Sequence, residues 1–222
     1  MLTLENVCYT YQTKAQRVDA LRGVSAEFKP GQFYAIVGPS GSGKTTLLSL
    51  LAGLDVPTVG EVRWQGQSTA AMDRDCYRFE HVSVIYQNFN LFAHLTALEN
   101  TAYPLYLRGL TKKDAEAQAA DCLRQVGLLE DKDRRLPSLL SGGEQQRVAI
   151  ARALASKTEL ILADEPTGNL DSENGKNIVE ILKRLAHEEN RCVIVVTHDT
   201  TVAAEADFTL TMRDGTIVEE IN

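Results

Sequence analysis

Three textures follow one another along the chain. Over residues 1–64, short β-rich runs (20–28, 33–37 and 61–64) alternate with turn signals such as Pro30-Gly31. One amphipathic run, residues 45–51, reads as a helix. Residues 88–156 lack β-branched runs and are rich in Ala, Leu, Gln and charge, with 114–126 and 144–155 reading as helices, so an α-helical insertion is expected there. From residue 157 the β-type pattern returns. The apolar runs 159–163 and 192–196 read as buried strands, and between them Ile178, Ile181, Leu182 and Leu185 form the apolar stripe of a helix. Strand, helix, strand with continuously apolar strands predicts a parallel sheet covered on both faces. Residues 208–212 and 216–218, around Asp214-Gly215, read as a hairpin.

Composition sets limits without changing that picture. The 222 residues are 44% apolar and 24% charged, enough for one large domain with its own core and unlike a disordered chain. The N-terminus, MLTLENVCYTY, has no signal-peptide pattern, and no apolar stretch reaches the roughly 18 residues a membrane span needs. The four cysteines, at 8, 76, 122 and 192, form no CxxC pair or zinc spacing, which points to reduced thiols. A net charge of −7, concentrated after residue 157 where six basic side chains face fourteen acidic ones, argues against nucleic acid as a partner. That acidic end reads as solvated surface.

The candidate chemistry begins with Gly38-Pro39-Ser40-Gly41-Ser42-Gly43-Lys44-Thr45, a GxxxxGK[ST] run after an apolar strand and before a helix, with Thr46 next to it. Glycines let successive backbone N–H groups turn inward and approach phosphate oxygens where a Cβ would intrude. Lys44 supplies a charge for the β- and γ-phosphates, Thr45 a hydroxyl for Mg²⁺, and the helix its positive end. Further on, an apolar run ends in Asp164-Glu165-Pro166. At the carboxyl end of a core strand, Asp164 would hold Mg²⁺ through water and Glu165 would polarise or deprotonate a water attacking the γ-phosphate. Leu140-Ser141-Gly142-Gly143-Glu144 has the S-x-x-E form of a capping box. Two glycines in a first helical turn weaken a helix but admit an anion to its N–H groups, so this is a second candidate phosphate-binding end.

With these motifs the chain resembles the ATP-binding cassette (ABC) transporter ATPases over essentially its whole length. Tyr11, the 38–45 cradle, Gln87, residues 140–144, Asp164-Glu165 and His198 occur in that family's order. The resemblance implies an α/β P-loop NTPase (RecA-like) core with an N-terminal antiparallel β subdomain and an α-helical insertion. One cassette would span 1–222, with 1–87 and 157–222 as nucleotide-binding core and β subdomain, and 88–156 as the mainly helical part carrying Ser141, Gly142 and Gly143. It also implies a head-to-tail homodimer when ATP is bound, in which Ser141 and Gly143 touch the γ-phosphate held by the partner. Tyr11 would stack on adenine, Gln87 would reach Mg²⁺ or the attacking water, and His198 would contact the γ-phosphate. Asp171 would lie across the interface, and is also a good N-cap for the helix that follows.

Residues 164–171 and 95–100 look like the subgroup of lipoprotein-release, macrolide-export and cell-division cassettes. The stretch 67–87 departs from that subgroup, with Ser83 where a glycine is usual. The function implied is an ATPase subunit powering a separate integral membrane permease by export or mechanotransmission, peripheral at the cytoplasmic face of a bacterial cell membrane. The alternatives are an importer's ATPase or a soluble ABC protein acting on ribosomes or chromosomes.

Overall fold

The computed structural model describes residues 1–12 and 17–221. Contacts divide them into two compact units: 1–83, 159–165 and 182–222 in the first, 84–158 and 166–181 in the second. The strands in chain order are β1 (Leu2–Gln12), β2 (Arg17–Phe28), β3 (Phe33–Val37), β4 (Val59–Trp64), β5 (Gln67–Ser68), β6 (Val82–Ile85), β7 (Leu160–Asp164), β8 (Cys192–Thr197), β9 (Phe208–Arg213) and β10 (Thr216–Ile221). The helices are α1 (Lys44–Leu51), α2 (Arg74–His81), α3 (Ala97–Leu107), α4 (Lys112–Gln125), α5 (Gly142–Ala155), α6 (Ser172–His187) and α7 (Thr200–Ala203).

In the first unit β2, β1, β4 and β5 lie in that order, with antiparallel pairing throughout. A second sheet has the order β10-β9-β3-β8-β7-β6. Its β3, β8, β7 and β9 run parallel. The residues of β3, β7 and β8 are almost wholly buried up to their carboxyl ends, as strands covered on both faces require. Register puts Val37 opposite Thr197 and Asp164 opposite Val196, so the three strands end together at one edge of the sheet. The chain positions its chemistry along that edge. The β9–β10 turn uses Asp214 and Gly215, both left-handed (φ 48° and 80°), the two-residue hairpin the sequence predicts.

In the second unit α3, α4 and α5 pack on one another. Each begins with a hydroxyl that accepts a first-turn N–H: Thr96, Thr111 and Ser141, the first and last in full capping boxes with Glu99 and Glu144. Each such cap is worth roughly 1 kcal/mol against alanine. Among the described residues no disulfide joins the four cysteines. Among the described residues no helix is long and apolar enough to cross a membrane.

Candidate functional site

The cradle follows from the end of β3. A Cβ on Gly38 would lie 2.2 Å from the Met212 carbonyl oxygen. Gly43, which caps α1 with φ +101°, would bring one within 2.6 Å of the Ala20 carbonyl oxygen. Only glycine fits either place. A Cβ on Gly41 would meet nothing within 4 Å, so that exposed position is not closed by the fold. The Lys44 ammonium is held across the loop, donating to the carbonyl oxygens of Gly38 (2.7 Å) and Pro39 (2.9 Å). Two of its three protons are thereby used, and the third remains for an incoming acceptor. The Ser42 hydroxyl is buried without a hydrogen-bond partner, an unmet polar group in the cradle wall.

Next to the cradle's sheet edge stand Asp164, Glu165 and His198. Glu165 has a left-handed backbone (φ 47°) fixed by its N–H donating to the Val196 carbonyl (2.8 Å). For a glutamate that conformation stores on the order of 1–3 kcal/mol, held by the surrounding strands. Its carboxylate is aimed by three contacts: the Thr197 hydroxyl donates at 3.0 Å, the His198 N–H at 3.4 Å, and His198 Nδ1 lies 2.7 Å from the other oxygen. The Glu165 side chain is 15% exposed and that of His198 is 73% exposed, so the imidazole forms the open face of the pair. Burial, and then the adjacent Glu165, push the Asp164 carboxyl above its ordinary range, with Lys44 opposing them. A partly buried carboxylate next to another, with its one nearby ammonium occupied by carbonyls, has the charge and the hard oxygen donors that suit Mg²⁺. Among the described residues no three His, Cys, Asp or Glu side chains form a metal-holding group, and Mg²⁺ is ordinarily bound by one or two protein oxygens with waters and substrate phosphates as the other ligands. Thr45 and Asp164 fit that arrangement.

Tyr11 is exposed and stands edge-on to Tyr9, with ring centroids 4.9 Å apart. Its hydroxyl lies 3.1 Å from the hydroxyl of Thr46 in the first turn of α1, which pins the ring beside the cradle helix. The face of such a ring offers a stacking surface.

Gln87, Ser141, Gly142, Gly143 and Asp171 belong to the second unit. Gln87 lies two residues beyond the end of β6 at Ile85, and its carbonyl accepts from Asn169 Nδ2 (2.9 Å). A Cβ on Gly142 would lie 3.6 Å from the Asn169 carbonyl oxygen and 3.8 Å from the Phe89 ring, both ordinary contacts. On Gly143 it would come within 3.0 Å of Asn174 Cγ. Asp171 accepts from the Asn174 N–H (2.8 Å) and the Asn174 amide (2.9 Å), and these bonds hold its carboxyl below the ordinary range. Asn174 Oδ1 also accepts from Arg147 Nη2 (3.1 Å). Thus the loop after β6, the start of α5 and the start of α6 meet inside this unit.

Thr197 carries no signal in a single sequence: it is one polar residue beside a motif, and its role exists only once the fold supplies Glu165. Asn174 is held locally, its N–H accepted by Asp171 three residues earlier, as the N-cap reading of Asp171 expects. The Asp164-Glu165 pair and the cradle, by contrast, are readable from their place after apolar runs.

A buried parallel sheet ending in a glycine cradle and two carboxylates defines a P-loop nucleoside-triphosphatase core, here with an antiparallel β subdomain and an α-helical insertion. The ABC transporter family matches residues 21–168. The chain belongs to that family, as an ATP-binding cassette. It is 40% identical over 222 residues to the uncharacterized ABC transporter ATP-binding protein YclH of Bacillus subtilis, covering 100% of this chain and 97% of YclH. Against the macrolide export ATP-binding/permease protein MacB of Escherichia coli it is 43% identical over 221 residues, 98% of this chain but 34% of MacB. In three dimensions it is similar to the ATP-binding cassette MJ0796, solved as a dimer in a post-hydrolysis state with ADP and Pi. That match has a TM-score of 0.94 and 40% identity, and covers 100% of this chain and 98% of the other. The MJ0796 protein is from Methanocaldococcus jannaschii.

Proposed function

We propose that this cassette binds Mg-ATP in residues 38–46 and hydrolyses it to drive a separate membrane permease of the export or mechanotransmission type. The observation that carries the reading is the meeting of Lys44, Asp164, Glu165 and His198 at the carboxyl ends of neighbouring parallel strands, with Glu165 locked in aim. Lys44 and the loop N–H groups bind the phosphates, and the Tyr11 ring stacks on the base. Glu165 accepts a proton from the attacking water, while Thr197 and His198 fix the carboxylate and the exposed imidazole contacts the γ-phosphate. A bound Mg²⁺ would neutralise charge on the phosphate oxygens, held by Thr45 and Asp164 with Gln87 as a further donor. MacB supports the export assignment and MJ0796 the dimer.

In the proposed dimer, Ser141, Gly142 and Gly143 of each chain complete the site of the other, with Asp171 at the interface. Gly142 supports this, because among the described residues no neighbour comes close enough to require a glycine there. Attachment to the permease would put the cassette at the cytoplasmic face of a bacterial cell membrane.

Glu165→Gln tests the reading. It should leave ATP affinity intact, lower turnover by about 10²–10⁴-fold, the usual worth of a positioned base, and accumulate an ATP-bound dimer in gel filtration. Turnover at the parent rate would remove Glu165 from the role.

A further inference from the structure

The acidic fifth residue of the 140–144 motif poses an electrostatic problem. Glu144 sits in the first turn of α5, where its carboxylate accepts from the Ser141 N–H at 2.8 Å and closes the capping box. That is good for the helix, since an acid there complements its positive end. It is adverse for docking a nucleotide on the same turn, because it adds a negative charge beside the N–H groups that would receive the γ-phosphate. The chain answers with Lys132, carried on a 3₁₀ turn at Glu130–Lys132, whose ammonium is in direct contact with the second oxygen of Glu144. Their side chains are only 24% and 20% exposed, so the pair is partly shielded from solvent rather than a loose surface contact. Burial alone would raise the Glu144 carboxyl, yet the Lys132 ammonium and the Ser141 N–H outweigh it and hold it below the ordinary range, which keeps it ionised.

We infer that Lys132 is a positioning residue for the trans site: it neutralises Glu144, so that the N-terminus of α5 offers the partner's ATP a net attractive field while the capping box stays closed. This rests on the head-to-tail dimer proposed above. A simple structural pair would stabilise the fold without any effect specific to the second nucleotide-bound subunit.

The experiment uses the full chain in a Glu165→Gln background and measures the ATP-dependent monomer–dimer equilibrium by sedimentation, with binding of a fluorescent ATP analogue to the monomer and Tm alongside. Lys132→Gln should weaken ATP-dependent dimerisation about tenfold at low salt, less at high salt, and leave monomer nucleotide affinity within about twofold. Lys132→Arg should restore the parent constant. The double variant Lys132→Gln/Glu144→Gln should return to within about twofold of the parent, because the uncompensated charge has gone with its partner. Undiminished dimerisation in Lys132→Gln, or a double variant no better than the single, would overturn the inference while the dimer reading stands. A Glu165→Gln parent that binds ATP yet never dimerises would overturn both.

Discussion

The two glycine-rich ends of this chain have opposite reasons for being glycine. In the cradle, Gly38 and Gly43 are dictated from within: backbone carbonyls 2.2 and 2.6 Å from any Cβ forbid a side chain whether or not a ligand is bound. At the start of α5, Gly142 has only ordinary neighbours at 3.6 and 3.8 Å, and alanine would suit the helix better. Gly143 lies between these cases, with the Asn174 side chain at 3.0 Å. A glycine the fold does not need is suited to a surface that something else approaches closely. On the proposed dimer reading, the cradle is a half-site shaped within its own chain, and the α5 end is the half that a partner would use.

The sharpest way to break that contrast is Gly43→Ala. A left-handed backbone and a collision with the Ala20 carbonyl together should cost about 2–4 kcal/mol of stability and abolish nucleotide binding, read by urea unfolding and ATP titration. Gly142→Ala should do the reverse. Its Tm should be unchanged or slightly higher, by the few tenths to ~1 kcal/mol that alanine gains in a helix, and monomer ATP affinity should hold. ATP hydrolysis should nevertheless fall at least tenfold, since contact with the trans phosphate is worth about that of one charge-assisted hydrogen bond. A large loss of stability in Gly142→Ala would erase the distinction.

The smallest effect concerns charge. Because Asp164 has its carboxyl raised in the folded chain, folding takes up protons as that group titrates, and its ionisation costs stability above the ordinary carboxylate range. Asp164→Asn should therefore raise the Tm of the ligand-free chain at neutral pH, by about 2–4 °C for each kcal/mol gained, and the gain should shrink as pH falls through that range. The same variant should lose the Mg²⁺ dependence of ATP binding. A gain that does not vary with pH would contradict the assignment of the cost to charge.

What the sequence showed in advance follows the same division. The cradle, the carboxylates at the end of β7 and the hairpin at Asp214-Gly215 are legible because local chemistry alone requires them. Elements missed from the hydrophobic pattern had a disguise. In β1 the alternation is broken by register shifts around Val7 and by left-handed Asn6. Helix α2 buries only Tyr77, so it has almost no apolar stripe. Helix α3 contains Pro104, a helix breaker by propensity, although its Thr96-x-x-Glu99 capping box was there to be read. The network around Glu165 was not legible, because Thr197 reaches it only through tertiary structure; the Asp171–Asn174 bonds are local, three residues apart, and the N-cap reading of Asp171 anticipates them.

The central claim is that each chain supplies complementary halves of two ATP sites. Mixing two inactive variants tests it most directly: Lys44→Ala, which spoils the cradle, and Ser141→Arg, which blocks the α5 end. Mixed dimers then hold one doubly damaged site and one intact site. With half of the dimers mixed and one site of two restored in each, hydrolysis should return to about a quarter of the parent rate. A mixture no more active than either variant alone would contradict it.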